Sequence, residues 1–212
     1  TAAAGPPHQR PLCAAECNVM CGRYQFTAEQ CAEIRQIVET IQQKYGAGQW
    51  TPGEIRPTAK APVLVREDSG SSPALMKWGY QLPGTLVINA RAETAAEKPM
   101  FRRSLATQRC LIPATAFYEW DAEKRKYQFS LPGEDILFMA GLFDRRGGED
   151  CYCILTTAAN GSMKPIHDRM PLILPRSQAE QWLSDSSQAE VILSTVPPAL
   201  AVQSAEQQLS LW

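Results

Sequence analysis

The sequence is short of the features that mark most functional classes. No apolar run approaches the ~20 residues that cross a bilayer, which argues against a helix-spanning membrane protein. Basic charge is not in excess: 21 Lys and Arg stand against 22 Asp and Glu, for a net charge of −1 and a pI near 6.1. A field of that size cannot steer nucleic acid to the molecule, so any nucleic-acid contact must come from a local cluster. Histidine is scarce, with His8 and His167 alone, and no CxxC pair occurs. Cys13, Cys17 and Cys21 are spaced four apart, with Cys31 or His8 as a conceivable fourth ligand, but Pro6, Pro7 and Pro11 precede them and a structural zinc site is not expected. Neither metal nor organic cofactor is implied. The seven cysteines are an odd number without the spacing of a small secreted scaffold, which fits reduced thiols in a cytoplasmic protein.

What the chain does contain begins at Met20-Cys21-Gly22-Arg23-Tyr24. A cysteine directly after a methionine becomes amino-terminal if translation starts at Met20 and the methionine is removed. It then carries an α-amine (pKa about 7.7–8.0) and a thiol (about 8.5) on adjacent carbons, so both nucleophilic forms are populated near neutral pH. Such a 1,2-aminothiol condenses with an aldehyde to a Schiff base and then closes to a thiazolidine. An internal cysteine cannot do this, because its nitrogen is an amide. On the pentapeptide alone, an incidental or buried cysteine is the simpler reading. Residues 1–20 carry prolines and no continuous apolar core, so they do not read as a secretory signal. They are read as a leader of unassigned origin: a propeptide, a start misread upstream, or a remnant of cloning.

Along the chain, Thr27-Ala28-Glu29-Gln30 reads as a capping box ahead of Ile34, Ile37, Val38 and Ile41 at helical spacing, with Gly46 as a left-handed cap. Residues 46–62 read as an irregular loop. Runs at 62–66 and 73–78 flank a turn and predict a hairpin, and further strands are expected at 85–90, 109–112, 115–120, 127–131, 136–140, 151–157 and 172–174. Ser177-Gln178-Ala179-Glu180 reads as a second capping box opening a short helix with Trp182 and Leu183. Many strands and few helices predict an α+β fold, mainly antiparallel, with a curved or barrel-like β-sheet and a few flanking helices. With no repeat or clean linker, residues 21–212 are read as a single domain.

Three further segments stand out: Asn89-Ala90-Arg91-Ala92-Glu93, Phe117-Tyr118-Glu119-Trp120, and Pro165-Ile166-His167-Asp168-Arg169-Met170-Pro171. With Met20-Cys21-Gly22-Arg23-Tyr24, Met76-Lys77-Trp78-Gly79 and Arg109-Cys110-Leu111-Ile112-Pro113, they resemble the SOS-response-associated peptidase (SRAP) family, whose members crosslink covalently to abasic sites in single-stranded DNA. The resemblance runs from Cys21 to about Leu183, matches loosely thereafter, and does not include residues 1–20.

The resemblance implies catalytic roles for Cys21, Asn89, Glu119 and His167. An abasic sugar is mostly a closed hemiacetal, and Glu119 is implied as the acid that protonates its ring oxygen. Tyr118 and Trp120 would desolvate the carboxylate and favour its neutral form; strand alternation alone allows the opposite, with Glu119 facing solvent between two inward rings. His167, in a Pro-bounded segment that cannot be a regular helix, is a candidate proton shuttle or an ordinary loop histidine. Asn89 offers a donor and an acceptor for the opened sugar or the Cys21 amine. Arg91 shares a strand face with it, and Arg23, Arg91 and Arg169 form a candidate phosphate-gripping cluster, against the plainer reading of surface ion pairs. Trp78 is a candidate base-stacking ring, with a core tryptophan as the alternative.

Three functions therefore compete: a covalent sensor of abasic sites in single-stranded DNA, a thiol peptidase cutting before Cys21 or elsewhere, and a non-covalent single-strand binding module. A monomer, associated with the nucleoid on DNA damage, is expected for the first.

Overall fold

The computed structural model describes residues 22–27 and 31–204. Helix α1 (Ala32–Tyr45) buries Ile34, Ile37 and Ile41, the stripe that the spacing predicts. It ends at Gly46, whose φ of 91° only glycine adopts easily, although its ψ of 151° is extended rather than left-handed helical. The capping box expected at Thr27 falls partly on Ala28–Gln30, which lie outside the described residues; α1 is capped at Cys31, and the Thr27 hydroxyl meets that of Thr115 at 3.3 Å.

The strands are β1 (Tyr24–Phe26), β2 (Gly53–Ile55), β3 (Lys60–Glu67), β4 (Gly70–Trp78), β5 (Tyr80–Leu82), β6 (Thr85–Val87), β7 (Asn89–Arg91), β8 (Arg109–Ala114), β9 (Ala116–Trp120), β10 (Lys126–Ser130), β11 (Leu137–Arg146), β12 (Glu149–Ala158), β13 (Arg169–Pro171), β14 (Ile173–Leu174) and β15 (Ala201–Ser204). Among the described residues a 3₁₀ turn covers Ala92–Thr94, and the further helices are α2 (Pro99–Thr107), α3 (Arg176–Ser184) and α4 (Ala189–Leu193). One sheet runs β15-β10-β9-β1-β2, all antiparallel. In the other, β4, β3, β8, β11 and β12 pair in turn and β12 returns to pair with β4, so five strands close into a barrel. Strands β7 and β13 also pair with β12. The expected mainly antiparallel, barrel-like α+β fold is what forms.

The barrel interior is narrow. At Gly141 a Cβ would collide with Ile112, lie 2.9 Å from the Cys153 carbonyl and 3.0 Å from Cys110 Sγ, so only glycine lets these strands close. Arg109, buried, donates to the carbonyls of Leu105 and Ala106 at the end of α2 and of Trp182 in α3, placing a cation at two helix C-termini.

The expected 85–90 strand is split into β6 and β7, and the hairpin turn shrinks to Asp68 and Ser69. The second capping box is also displaced: α3 is capped by Pro175, so Ser177 lies within the helix, which does carry Trp182 and Leu183 as buried residues. Helix α2, with Phe101 and Leu105 four apart on its buried face and Pro99 at its start, has a legible signature that the strand-dominated reading passed over.

Candidate active site

Cys21 lies outside the described residues, but Gly22, the residue after it, does not. Strands β1 and β9 pair antiparallel with Tyr24 opposite Phe117, and the Tyr118 amide donates to the Arg23 carbonyl at 3.0 Å. The same register carried back places Gly22 opposite Glu119. Glu119 thus lies on the strand that pairs with β1, which begins three residues after Cys21 in the sequence.

Glu119 is 4% exposed. Alternation along β9 puts it on the face with buried Phe117, and puts Tyr118 and Trp120, both only partly buried, on the other face. The solvent-facing alternative for Glu119 is thus excluded. The desolvating role expected of Tyr118 and Trp120 also needs correction, since they lie on the opposite face of β9. Those two rings instead receive cations: Arg23 stands 5.1 Å from the Trp120 ring centre, and Lys126 3.8 Å from that of Tyr118. Glu54 joins this group, 3.5 Å from Arg23, 2.8 Å from Arg56 and 3.4 Å from Lys126. Partial burial pushes its carboxyl up, but the Arg56 hydrogen bond and the charges of Arg23 and Lys126 outweigh this and hold it below the usual range. Arg23 thus stands on the face of β9 opposite Glu119, with one carboxylate shared among three cations. Lys126 and Glu54 were not singled out from the sequence, where no spacing links them to Cys21.

The second half of the site is built on β12. Asn89 and Arg91 of β7 pair alongside Ile154 and Thr156, while Arg169 of β13 pairs opposite Ala158. In β7 only Ala90 is buried, so Asn89 and Arg91 share the outer face, as the spacing predicts, with Arg91 exposed. His167 follows a run of turns from Gly161, as its prolines require, and leads into β13. Its Nδ1 accepts the Arg169 amide at 3.1 Å and lies 3.0 Å from Asp168 Oδ1. Accepting that amide leaves the proton of the neutral ring on Nε2; a second proton on Nδ1 would turn the ring toward Asp168 as a donor.

Two expected DNA contacts need correction. Trp78 is fully buried: its indole donates to the Ile88 carbonyl at 3.1 Å, its ring centre is 5.2 Å from that of Tyr24, and it stacks on Tyr152 at 6.2 Å. No base can stack on a ring with no exposed face, so the core alternative holds. Arg169 does not present a waiting guanidinium. It grips both oxygens of Glu93, at 2.5 and 2.9 Å, and donates to the Thr156 carbonyl at 2.8 Å. This ties β13 to β12 and to the 3₁₀ turn after β7, a role in which Glu93 was missed as a partner.

The two halves meet at Tyr24, Trp78 and Tyr152, where the buried hydroxyls of Tyr24 and Tyr152 lie 2.7 Å apart. Cys110 and Cys153 are poor nucleophiles: burial pushes the Cys153 thiol up to about 12 and that of Cys110 well above its ordinary value. Among the described residues no cluster of His, Cys, Asp and Glu is arranged to hold a metal ion; Cys13, Cys17 and His8 lie outside them.

Residues 20–209 match the family described as SOS response associated peptidase (SRAP). The chain is 34% identical over 182 residues to the abasic site processing protein YoaM of Bacillus subtilis, covering 78% of this chain and 79% of that one. It is 29% identical over 198 residues to the abasic site processing protein YedK of Escherichia coli, covering 85% and 88%. A crystal structure of a Bordetella bronchiseptica protein superposes with a TM-score of 0.69 at 26% identity, covering 87% of this chain and 99% of that one.

Proposed function

Because the chain belongs to the SOS response associated peptidase family, we propose that it senses abasic sites in single-stranded DNA and closes a covalent crosslink onto them. The observation that carries this reading is buried Glu119 on β9, the strand paired with β1, which begins three residues after Cys21 in the sequence. Burial disfavours charge on a carboxyl, the condition a proton donor needs near neutral pH.

The reaction runs in three steps once Cys21 is amino-terminal. Glu119 gives its proton to the ring oxygen of the closed sugar as the C1′–O bond breaks, and the C1′ hydroxyl loses a proton to leave the aldehyde. The Cys21 amine then adds to that carbon and water leaves, forming a Schiff base. Finally the Cys21 sulfur bonds to the same carbon, the C=N electron pair moves to nitrogen, and a proton follows to give a neutral thiazolidine. His167, with its neutral-state proton on Nε2, serves the proton transfers of the last two steps, and Asn89 orients the opened sugar. Arg91 and Arg23 hold flanking phosphates. No metal or organic cofactor enters these steps, and the protein acts as a monomer.

The test is a denaturing gel of protein beginning at Cys21, mixed with a single-stranded oligonucleotide carrying an abasic site, without reductant. A heat-stable shifted band is expected. A band that needs borohydride would mean a Schiff base without ring closure, and native binding with no band would leave a non-covalent binding module. A peptidase reading, with Cys21 as thiol nucleophile and cleavage before it, draws support from the family description and the match beginning at residue 20. Spontaneous loss of residues 1–20 by purified protein would favour it.

A further inference from the structure

Trp78 is buried too deeply to touch DNA, yet its bond lies at a sensitive place. The Ile88 carbonyl already accepts the Ile154 amide at 3.0 Å, and the Trp78 indole adds a second hydrogen bond at 3.1 Å. A carbonyl oxygen has two lone pairs, and both are now used. The Trp78 N–H therefore does not rescue an otherwise orphaned acceptor. It fixes the orientation of the planar peptide whose other end is the Asn89 nitrogen.

Trp78 is itself held on several sides. Its amide donates to the Ala59 carbonyl at 2.9 Å, and its carbonyl accepts the Thr58 amide at 2.8 Å. Gly79, next in sequence, has a φ of 109°, and a Cβ there would lie 2.8 Å from Leu86 and 3.1 Å from Ile88, so the backbone after Trp78 lies directly against the segment leading to Asn89. On its other side the indole packs on Tyr24, three residues after Cys21, and Tyr24 is tied through its hydroxyl to Tyr152 of β12.

We infer that Trp78 is a positioning residue for the crosslinking reaction, a buried strut that sets Asn89 in register with β1, whose Tyr24 packs on the same ring. The inference rests on the proposed function and adds a residue that acts through Asn89 without reaching the DNA.

The test is a double-mutant cycle on protein beginning at Cys21. Trp78→Phe keeps a buried ring and loses the N–H. The rate of adduct formation at saturating abasic DNA should fall roughly 10- to 100-fold, the scale expected of a small misplacement of a reacting group. The Kd for an oligonucleotide with a non-reactive tetrahydrofuran site should stay near that of wild type. In an Asn89→Ala background the same change should have little further effect, because the two act as one unit. Equal slowing in both backgrounds, or an unchanged rate in the single variant, would overturn the inference. If Trp78→Phe fails to fold, benzothienylalanine incorporated at Trp78, which replaces the N–H with sulfur at nearly constant shape, serves the same cycle with the same outcomes. Absence of any adduct with wild-type protein would instead sink the proposed function, and the inference with it.

Discussion

Arg169 holds Glu93 through two parallel N–H···O bonds, of 2.5 and 2.9 Å, across a sequence separation of 76 residues. The pair joins the strand after His167 to the turn after Arg91, so it braces two candidate site segments against each other. Hydrogen bonding to Arg169 outweighs partial burial and holds the Glu93 carboxyl below its usual range. A depressed folded-state pKa means that the pair's contribution is present above the ordinary carboxylate pKa and is lost as pH falls through the lower, folded value. Glu93 is 46% exposed, so screening limits that contribution to less than about 1 kcal/mol. Glu93→Gln should therefore lower the melting temperature slightly at pH 7, and the difference from wild type should shrink as the pH falls below the ordinary carboxylate range. A constant difference across that range would show that the ion pair contributes nothing.

The corrected position of Arg169 separates it from Arg91. Arg91→Ala should weaken single-stranded DNA binding and reduce the slope of log K against log salt by about 0.7, the signature of one lost phosphate contact. Arg169→Ala should leave the slope alone, lower thermal stability and slow crosslinking through the displaced His167. Fluorescence anisotropy at several salt concentrations distinguishes them. A flattened slope for Arg169→Ala would return that residue to the DNA.

For Glu119, replacing the acid with an amide of the same shape should slow adduct formation by roughly 10²–10⁴-fold, the usual worth of a general acid. Binding to tetrahydrofuran-site DNA should be nearly unchanged in Glu119→Gln. Single-turnover gels give the rate, and parallel loss of affinity and rate would reassign Glu119 to structure.

Cysteine specificity follows from burial. Cys21→Ala should abolish the reductant-free adduct, and Cys21→Ser should leave at most a Schiff base trapped by borohydride, since a hydroxyl is a far poorer second nucleophile. Cys110→Ala and Cys153→Ala should crosslink as wild type, because both thiols are buried and held protonated. A stable reductant-free adduct with Cys21→Ser would exclude thiazolidine closure.

Much of this arrangement was legible in the sequence because local rules produced it. The Ile34, Ile37 and Ile41 stripe gives α1, alternation puts Asn89 and Arg91 on one face, and Pro165 and Pro171 keep His167 out of a helix. What was hidden depends on partners far apart in the chain. Nothing near Trp78 announces that its N–H would seek the carbonyl before Asn89, and nothing near Arg169 announces Glu93. Local rules therefore leave Trp78 open between a stacking ring and a core ring, and Arg169 between a phosphate contact and an ion pair. The direction of Glu119 was equally ambiguous, since alternation fixes that neighbours face opposite ways but not which face meets the core.

The central claim is that the α-amine of Cys21 is a reacting group, and the leader tests it most directly. While residues 1–20 are attached, that nitrogen is an amide and neither Schiff base nor thiazolidine can form. Intact-mass spectrometry on the 212-residue chain and on protein beginning at Cys21, each incubated with abasic single-stranded DNA, reads both the amino terminus and the adduct in one measurement. The account predicts adduct mass on the form beginning at Cys21 alone, with the loss of one water that imine formation requires. Adduct on protein that still carries residues 1–20 would contradict it.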